Sequence, residues 1–350
     1  MTDEVVFEQR GAVGLITLNR PKALNALTRE MCVAMKAMLD EWAADERVKT
    51  VVIRGTGERA FCAGGDIRAL YEAGKRDPSS ALDFYRAEYR LNATIKHYPK
   101  PYVALLHGIV MGGGVGVSVH GSHRVSDHSV MFAMPETGIG MFPDVGGSYF
   151  LPRLRGQIGM YVALTGERLK AADALYAGVT THFVPAQETE TVVSALENGT
   201  GPGLVLRSFA EFPGEAPLAD TQESVDRLFS EDSVDGILAA LDADGNKWGK
   251  AVAAIIRKKS PISSKITFRQ LREGRNLSFD NCMRMEFRMV SHVMRGHDFY
   301  EGVRATIIDK DGAPQWRPNT VAQISSAAVE EYFRPLGRNE LDLQPSKGER

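Results

Sequence analysis

The chain has 350 residues and a formal net charge of -2, from 42 basic and 44 acidic side chains. Hydrophobic residues make up 43% and charged residues 25%, which is typical of a globular protein with a sizeable core. The balanced charge excludes a global field that would recruit nucleic acid or an anionic membrane surface. We therefore expect neither partner, and a charged ligand would need a local site.

The cysteines and the apolar stretches bear on the cellular compartment. Cys32, Cys62 and Cys282 are too few and too scattered for a disulfide framework, which favours a reducing compartment. The N-terminal residues lack the features of a signal peptide or of an Arg-rich transit peptide. The most apolar long stretch, residues 102–119, is interrupted by His107 and several glycines, so it does not predict a membrane span. We expect a cytoplasmic location.

The first half of the chain alternates strand and helix signals. Thr28 is placed to cap a helix that ends near Ala44. Short segments with strand character are residues 5–7, 12–18, 50–54 and 102–106. Short apolar strands that alternate with helices favour an α/β architecture around a buried sheet.

The second half has a different pattern. Residues 198–217 are rich in glycine and proline, and residues 220–244 are acidic and weakly amphipathic. From Pro261 to about Ile308 the pattern predicts helices, with a break at residues 274–276. We predict three parts, namely an α/β core over residues 1–200, a helical connector over 201–260 and a helical C-terminal part over 261–350.

Two glycine-rich segments, residues 60–66 and 107–116, each follow a predicted strand and precede a predicted helix. Glycine lets backbone N–H groups approach a ligand closely, and two such segments could direct two N–H groups at one developing oxyanion. Losing one such donor typically costs about 3 to 4 kcal/mol of transition-state stabilisation. The alternative is that the glycines only permit tight turns. Residues 107–116 lack the full dinucleotide-binding pattern, and the chain has no phosphate-binding loop with its lysine, so we exclude nucleotide sites of those two types.

A third segment, residues 134–147, places Glu136 and Asp144 among apolar and glycine residues. Desolvation raises the pKa of a carboxyl group towards the range useful for proton transfer. Two such groups can divide the work, one ionised and one protonated. The alternative is that each acid only caps local structure.

Other kinds of catalytic site find little support in the sequence. His120 and His123 are three residues apart, but no cysteine or carboxylate cluster completes a metal site, so we expect no metal. No G-x-S-x-G motif is present to indicate a serine hydrolase. Cys62 has no evident basic partner, which favours packing over nucleophilic catalysis.

Taken in this order, and together with residues 18–27, the three segments resemble the crotonase (enoyl-CoA hydratase/isomerase) superfamily. The resemblance implies stacked ββα units, a coenzyme A thioester substrate, and an oxyanion hole formed by the amides of Gly65 and Gly113. It also implies that coenzyme A is part of the substrate and that no separate cofactor is needed. The residues expected to line the coenzyme A site are Lys22, Ala23, Leu24, Ala63, Gly64, Asp66 and Ile67.

Within the superfamily, the sequence is most similar to the 3-hydroxyisobutyryl-CoA hydrolase subgroup. The similar stretches are residues 111–121, 132–147, 149–154, 294–304, 308–311 and 314–318. The resemblance implies hydrolysis of a 3-hydroxyacyl-CoA thioester. The expected reaction converts 3-hydroxyisobutyryl-CoA to 3-hydroxyisobutyrate and coenzyme A, in valine catabolism.

The carboxyl groups differ from those of a typical hydratase, which places one water with two glutamates. The first of these falls on Gly116 here, the second is matched by Glu136, and Asp144 stands where hydratases carry glycine. The resemblance implies that Glu136 attacks the thioester or deprotonates water, and that Asp144 orients water or binds the acyl hydroxyl. Glu88 matches a substrate-contacting glutamate of the subgroup.

Two other functions remain open, namely an enoyl-CoA hydratase and a non-catalytic acyl-CoA-binding scaffold. The assembly is open as well. The superfamily often forms trimers through its C-terminal helices, so a homo-oligomer is one expectation. The alternative is that the extended C-terminal part covers its own active site.

Overall fold

A computed structural model describes residues 3–343. Residues 1–2 of the predicted core and residues 344–350 of the predicted C-terminal part lie outside the described range. The strands are β1 (Val5–Arg10), β2 (Val13–Leu18), β3 (Thr50–Gly55), β4 (Ala60–Cys62), β5 (Tyr102–Leu106), β6 (Ile109–Met111), β7 (His123–Ser126), β8 (Met131–Ala133) and β9 (His182–Phe183).

Helices follow most strands and fill the second half of the chain. They are α1 (Arg29–Ala44), α2 (Ile67–Arg76), α3 (Pro78–Lys96), α4 (Gly113–Gly116), α5 (Gly147–Phe150), α6 (Ile158–Thr165), α7 (Ala171–Ala177), α8 (Thr189–Glu197), α9 (Pro202–Phe209), α10 (Pro217–Leu228), α11 (Val234–Asp244), α12 (Lys247–Arg257), α13 (Pro261–Gly274), α14 (Phe279–Val293), α15 (Asp298–Val303) and α16 (Ser326–Glu331).

The strands form two sheets that the chain visits in turn. The larger sheet has the order β1-β2-β3-β5-β7-β9, with β1 antiparallel to β2 and the other neighbours parallel. The smaller sheet has the parallel order β4-β6-β8. The strand pairs β3–β4, β5–β6 and β7–β8 each give one strand to either sheet before a helical segment follows, which is the stacked ββα arrangement that the resemblance implied. This arrangement aligns the carboxyl ends of β4 and β6, where the two glycine-rich segments continue.

Side chains alternate across the larger sheet as a two-sided strand pattern requires. Val13 and Leu15 of β2 pack in a smaller cluster with residues of α8 and α9. Ile16 and Leu18 of the same strand pack in the main core. The predicted cap of α1 is confirmed, because Thr28 Oγ1 accepts a hydrogen bond from the Met31 amide at 3.2 Å.

The helical C-terminal part packs onto the α/β core. Val5, Leu238 and Phe287 belong to the same buried hydrophobic cluster, although they come from the three parts predicted from the sequence. The division at residues 200 and 260 itself stays a prediction. Within residues 3–343, no helix combines the length and the apolar character needed to cross a bilayer.

Candidate active site

The two glycine-rich segments lie against each other. Gly65 follows β4, and Gly113 begins α4 directly after β6, the parallel partner of β4. A Cβ atom placed on Gly113 would lie 3.3 Å from the Gly65 nitrogen. A Cβ atom placed on Gly64 would lie 3.7 Å from the Gly113 nitrogen. The two amides named from the sequence are therefore neighbours.

Both amides are available to a ligand. Neither the Gly65 N–H nor the Gly113 N–H donates a hydrogen bond to another group within residues 3–343. Gly113 is the first residue of α4, where the helix itself offers no acceptor. Gly64 has φ +117° and Gly112 has φ +48°, conformations that glycine adopts without steric cost. Two adjacent free amides are what an oxyanion hole requires, and their catalytic role stays a prediction.

Glu136 borders the second glycine-rich segment. It opens a short 3-10 helix after β8, and its Oε1 lies 3.5 Å from the position of a Cβ atom on Gly112. Its Oε2 is buried and has no hydrogen-bond partner in the described part of the chain. Burial raises the pKa of Glu136 well above its usual value, the nearby Asp144 raises it further, and Lys259 opposes the rise. The side chain is thus a desolvated carboxyl group beside the free amides.

Asp144 is buried on a turn of unusual backbone geometry. The Tyr89 hydroxyl donates a hydrogen bond to Asp144 Oδ2 at 2.8 Å. Burial raises the pKa of Asp144 to about 7, and the Tyr89 hydrogen bond limits the rise. The next residue, Val145, has φ +50°, a region that a β-branched residue rarely adopts. Such strain persists only where the surroundings enforce it, as functional sites often do.

The contacts that hold this turn come from the C-terminal helices and from the α/β core. Glu286 of α14 accepts hydrogen bonds from the Gly146 amide at 2.8 Å, from the Ser148 amide at 2.9 Å and from the Ser148 hydroxyl. Burial raises the pKa of Glu286 to about 8, against these donors. Two further side chains hold the turn, since Gln270 donates to the Pro143 carbonyl and the His120 ring donates to the Val145 carbonyl at 2.7 Å.

Glu88 completes a cluster of four buried carboxyl groups. It lies on α3 with its Oε1 unpartnered in the described residues, and any side chain on Gly113 would collide with that oxygen. Burial raises its pKa well above the usual value, and Asp144, Glu286 and Glu136 each add to the rise. Four carboxyl groups so close cannot all be ionised at neutral pH, so protons are shared among them.

The predicted coenzyme A segments also come together. The Ala63 amide donates to the Leu24 carbonyl at 3.0 Å, which joins the loop after β2 to the first glycine-rich segment. Lys22 and Leu24 border a surface cavity of about 240 Å³. The remaining lining residues are Pro21, Thr56, Gly57, Glu58, Arg59 and Ala60.

The other predicted lining residues lie near this loop, and the Asp66 side chain among them bonds to other groups of the protein. Asp66 caps α2 by accepting from the Ala69 amide at 3.3 Å and forms an ion pair with Arg20 at 3.1 Å. Ile67, the first residue of α2, is half-buried, and Ala23 is exposed in the turn after β2. The Asp66 carboxylate is therefore occupied by structural contacts.

The position of the first hydratase glutamate is closed. A Cβ atom placed on Gly116 would lie 2.7 Å from Val145 Cβ and 2.8 Å from Asn92 Nδ2. Separations this short leave no room for a glutamate unless Val145 and Asn92 move. The site thus keeps Glu136, lacks a carboxyl at position 116, and gains Asp144 on the strained turn.

Sequence reasoning did not identify Tyr89 or Glu286. Tyr89 follows Glu88 directly, but the sequence does not show that its hydroxyl meets a residue 55 positions later. Glu286 did leave a signal, because its neighbours on the same face of α14, Cys282, Met283, Met289 and Val290, are all apolar. An acid in such a place is seldom tolerated without a specific partner.

Cys62 and His120 are both buried in the core near the candidate site. Cys62 is fully buried behind α4, and burial raises its pKa to about 12, so it does not supply a thiolate at neutral pH. His120 is a neutral hydrogen-bond donor, since burial lowers its pKa to about 3. In residues 3–343, no group of three or more His, Cys, Asp or Glu side chains is arranged to hold a metal ion.

Comparison with known proteins bears on the family. The sequence model described as "Enoyl-CoA hydratase/isomerase" matches residues 13–333. The chain belongs to the enoyl-CoA hydratase/isomerase family. Among members of this family, the zebrafish (Danio rerio) protein named "3-hydroxyisobutyryl-CoA hydrolase, mitochondrial" is 49% identical over 97% of this chain and 92% of its own length. The human protein of the same name is 43% identical over 97% of this chain and 90% of its own length.

Solved structures of the family confirm the fold. A protein from Mycobacterium thermoresistibile, named a carnitinyl-CoA dehydratase, superposes with a TM-score of 0.93 at 41% identity, over 98% of this chain and 99% of its own. A protein from Rhodobacter sphaeroides, named an enoyl-CoA hydratase, gives a TM-score of 0.91 at 37% identity, over 97% of this chain and 100% of its own. Both matches extend over the C-terminal helices as well as the α/β core.

The expectation of a cytoplasmic location is wrong. The similar hydrolases from zebrafish, chicken (Gallus gallus) and human are all named mitochondrial. The expectation failed for a physical reason, because three unpaired thiols and a balanced charge suit any reducing compartment. Such features do not distinguish one reducing compartment from another.

Proposed function

We propose that this enoyl-CoA hydratase/isomerase family member hydrolyses 3-hydroxyisobutyryl-CoA to 3-hydroxyisobutyrate and coenzyme A. The names of the relatives at 43% and 49% identity support this activity. One observation in the site carries it most directly. Glu136 borders the two free amides and lies near enough to Asp144 for that charge to raise its pKa, while Val145 and Asn92 close the place of the glutamate that a hydratase needs.

In the proposed reaction, the Gly65 and Gly113 amides hold the thioester oxygen as it becomes an oxyanion. Ionised Glu136 either attacks the carbonyl carbon to form a mixed anhydride or removes a proton from an attacking water. The C–S bond then breaks, and coenzyme A leaves as the thiolate, which takes up a proton from Glu136 in the water route and from solvent in the anhydride route. In the anhydride route, a water molecule releases the acid and restores Glu136. Both routes consume one water molecule per thioester.

Asp144 is proposed to control the proton on Glu136. With its pKa raised to about 7, Asp144 begins to ionise near neutral pH, while burial and the Asp144 charge keep a proton on Glu136. Ionised Asp144 provides an acceptor, direct or through water, for the proton that Glu136 must lose before it acts. The two carboxyl groups then titrate as a pair rather than singly.

We propose that coenzyme A lies along the Lys22–Leu24 loop, which borders the surface cavity, and along the Ala63–Ile67 segment. The cofactor is part of the substrate, and the proposed chemistry needs neither a further cofactor nor a metal. A mitochondrial location and a place in valine catabolism follow from the names of the relatives. A homo-oligomer stays a prediction, as does coverage of the site by the protein's own C-terminal part.

An assay of thiol release tests the activity. Purified protein should release coenzyme A from 3-hydroxyisobutyryl-CoA, and it should consume crotonyl-CoA, followed by its conjugated absorbance, far more slowly. The reverse order would favour a lyase, the class to which the names of the two solved relatives belong. No thiol from any 3-hydroxyacyl-CoA would favour the non-catalytic scaffold.

A labelling experiment separates the two routes of Glu136. A single turnover in H₂¹⁸O is followed by mass spectrometry of the peptide that contains Glu136. Label in the Glu136 carboxyl supports the mixed anhydride, because water opens that intermediate and can leave its oxygen on the enzyme. Label only in the 3-hydroxyisobutyrate supports attack by water directly or at the acyl carbon of the anhydride, and hydroxylamine trapping then distinguishes these two.

A further inference from the structure

Asn92 on α3 is a buried amide without a partner. Its side chain is fully inaccessible to solvent, and neither Nδ2 nor Oδ1 has a hydrogen-bond partner within residues 3–343. Leaving a buried polar group unpaired destabilises the folded state, so native structures pair nearly all such groups. The hydrogen-bond partner of Asn92 must therefore come from outside the described chain.

The amide faces the site rather than an unrelated part of the core. Its Nδ2 lies 2.8 Å from the position of a Cβ atom on Gly116, at the end of α4 whose first residue is Gly113. The same Cβ position lies 2.7 Å from Val145 Cβ, directly after Asp144. Asn92 thus occupies the volume between α4 and the turn that carries Asp144.

Asn92 also shares a helix face with the rest of the site. It lies one turn after Glu88, whose Oε1 is unpartnered in the described chain as well, and three residues after Tyr89, which binds Asp144. Unlike the carboxyl groups around it, the amide stays neutral at any working pH. It can donate and accept a hydrogen bond at once.

We infer that Asn92 determines acyl specificity by hydrogen bonding to the 3-hydroxyl group of the substrate. This inference rests on the proposed function. A hydroxyl group both donates and accepts, so it satisfies an amide that offers both kinds of atom. An acyl chain without the hydroxyl leaves Asn92 unpaired, and sites built around a substrate hydroxyl discriminate strongly against analogues that lack it.

The test compares two thioesters that differ only in the hydroxyl, 3-hydroxyisobutyryl-CoA and isobutyryl-CoA. For Asn92→Leu, which is similar in size but apolar, we expect the ratio of kcat/KM between the two thioesters to fall about tenfold, through loss of the hydroxylated substrate. A purely structural role would lower both rates equally and leave the ratio unchanged. Thr94→Ala is the matched control, because Thr94 lies on the same helix and bonds within it to the Arg90 carbonyl at 3.0 Å.

The outcomes separate the inference from the proposed function. Wild-type protein that releases no thiol from 3-hydroxyisobutyryl-CoA overturns the proposed function and, with it, the role of Asn92. Active wild-type protein with an unchanged ratio in Asn92→Leu overturns the inference alone and leaves the amide to bind water. If Asn92→Leu fails to fold, as judged by circular dichroism, the same ratio in Asn92→Ser decides between the two results.

Discussion

The amides of Gly65 and Gly113 and the turn of residues 143–148, which carries Asp144, belong to the same candidate site but are held in different ways. Backbone contacts position the glycine-rich segments, through the pairing of β4 with β6 and the bond from the Leu27 amide to the Gly64 carbonyl at 2.8 Å. Side chains from distant helices position the turn of residues 143–148, above all Glu286 and Gln270. The glycine-rich segments depend on the α/β core alone, whereas the turn depends on the C-terminal helices as well.

This difference predicts a role in catalysis for the C-terminal helices, in addition to stability. Val145 holds a strained backbone conformation next to Asp144, and only the surrounding contacts keep it there. Substitutions in the core should therefore weaken stabilisation of the oxyanion. Substitutions in α13 and α14 should instead change the position and the pKa of Glu136 and Asp144.

Glu136→Gln removes the carboxyl group that lies near both the glycine-rich segments and Asp144, and we expect the largest effect from this change. The amide cannot attack the thioester or take a proton from water, so kcat should fall by about 10³-fold or more. The measurement is thiol release from 3-hydroxyisobutyryl-CoA, with circular dichroism to show that the fold is retained. Wild-type rates in this variant would contradict the catalytic role of Glu136.

The residues held by local backbone contacts could be predicted from the sequence, whereas the side chains that hold the turn from distant helices could not. The amides of Gly65 and Gly113 and the acids Glu136 and Asp144 could all be named, because each lies in a short motif that resembles a known family. The family and the stacked ββα fold are confirmed. The roles of these residues stay predictions.

The contacts that sequence reasoning missed are long-range ones. Glu286 meets Gly146 across 140 residues, and no local pattern fixes which of the acids on α14 turns inwards. The strands β4 and β6 were not separated from the glycine-rich segments, because three residues are too few to show a period. Pairing in the smaller sheet, rather than propensity, defines them.

Gly113→Ala tests the glycine-rich segments, which backbone contacts hold in place. The added methyl group would collide with Glu88 Oε1 and lie 3.3 Å from the Gly65 nitrogen, so it would disturb the neighbouring amide. We expect kcat to fall by about 10²- to 10³-fold, as for other losses of an oxyanion donor. Gly201→Ala is the control, because that glycine has φ -61° and open space where a Cβ atom would go. Equal activity of the two variants would refute the assignment of Gly113.

Glu286→Gln tests the half that depends on side chains. The amide has one acceptor oxygen, and its NH₂ group would face a backbone N–H of Gly146 or Ser148, which should loosen the turn. We expect kcat to fall about tenfold to a hundredfold with little change in KM. Loss of this carboxyl group should also move the acid limb of the pH–rate profile to lower pH, because negative charge at Glu286 raises the pKa of Glu88 in the same cluster.

Asp226→Asn is the matched control for Glu286→Gln. Asp226 also accepts from a backbone amide of another segment, that of Gln157 at 2.7 Å, but it is not among the charged groups that act on Glu88. It should leave the pH–rate profile unchanged. A Glu286→Gln variant whose rate falls while its pH profile stays that of wild type would show a structural role without influence on the acid pair.

Asp144→Asn tests stability, where we expect the smallest effect and the opposite sign. The folded pKa of Asp144 is about 7, above the unfolded value near 3.9, so the folded state holds the proton more tightly and the carboxyl group costs increasing stability as the pH rises from about 4 to 7. An asparagine pays no such cost and can still accept from Tyr89. Its melting temperature should exceed that of wild type by a few degrees at pH 8 and by less at pH 5. An equal difference in melting temperature at both pH values would mean that burial does not raise the pKa of the Asp144 carboxyl group.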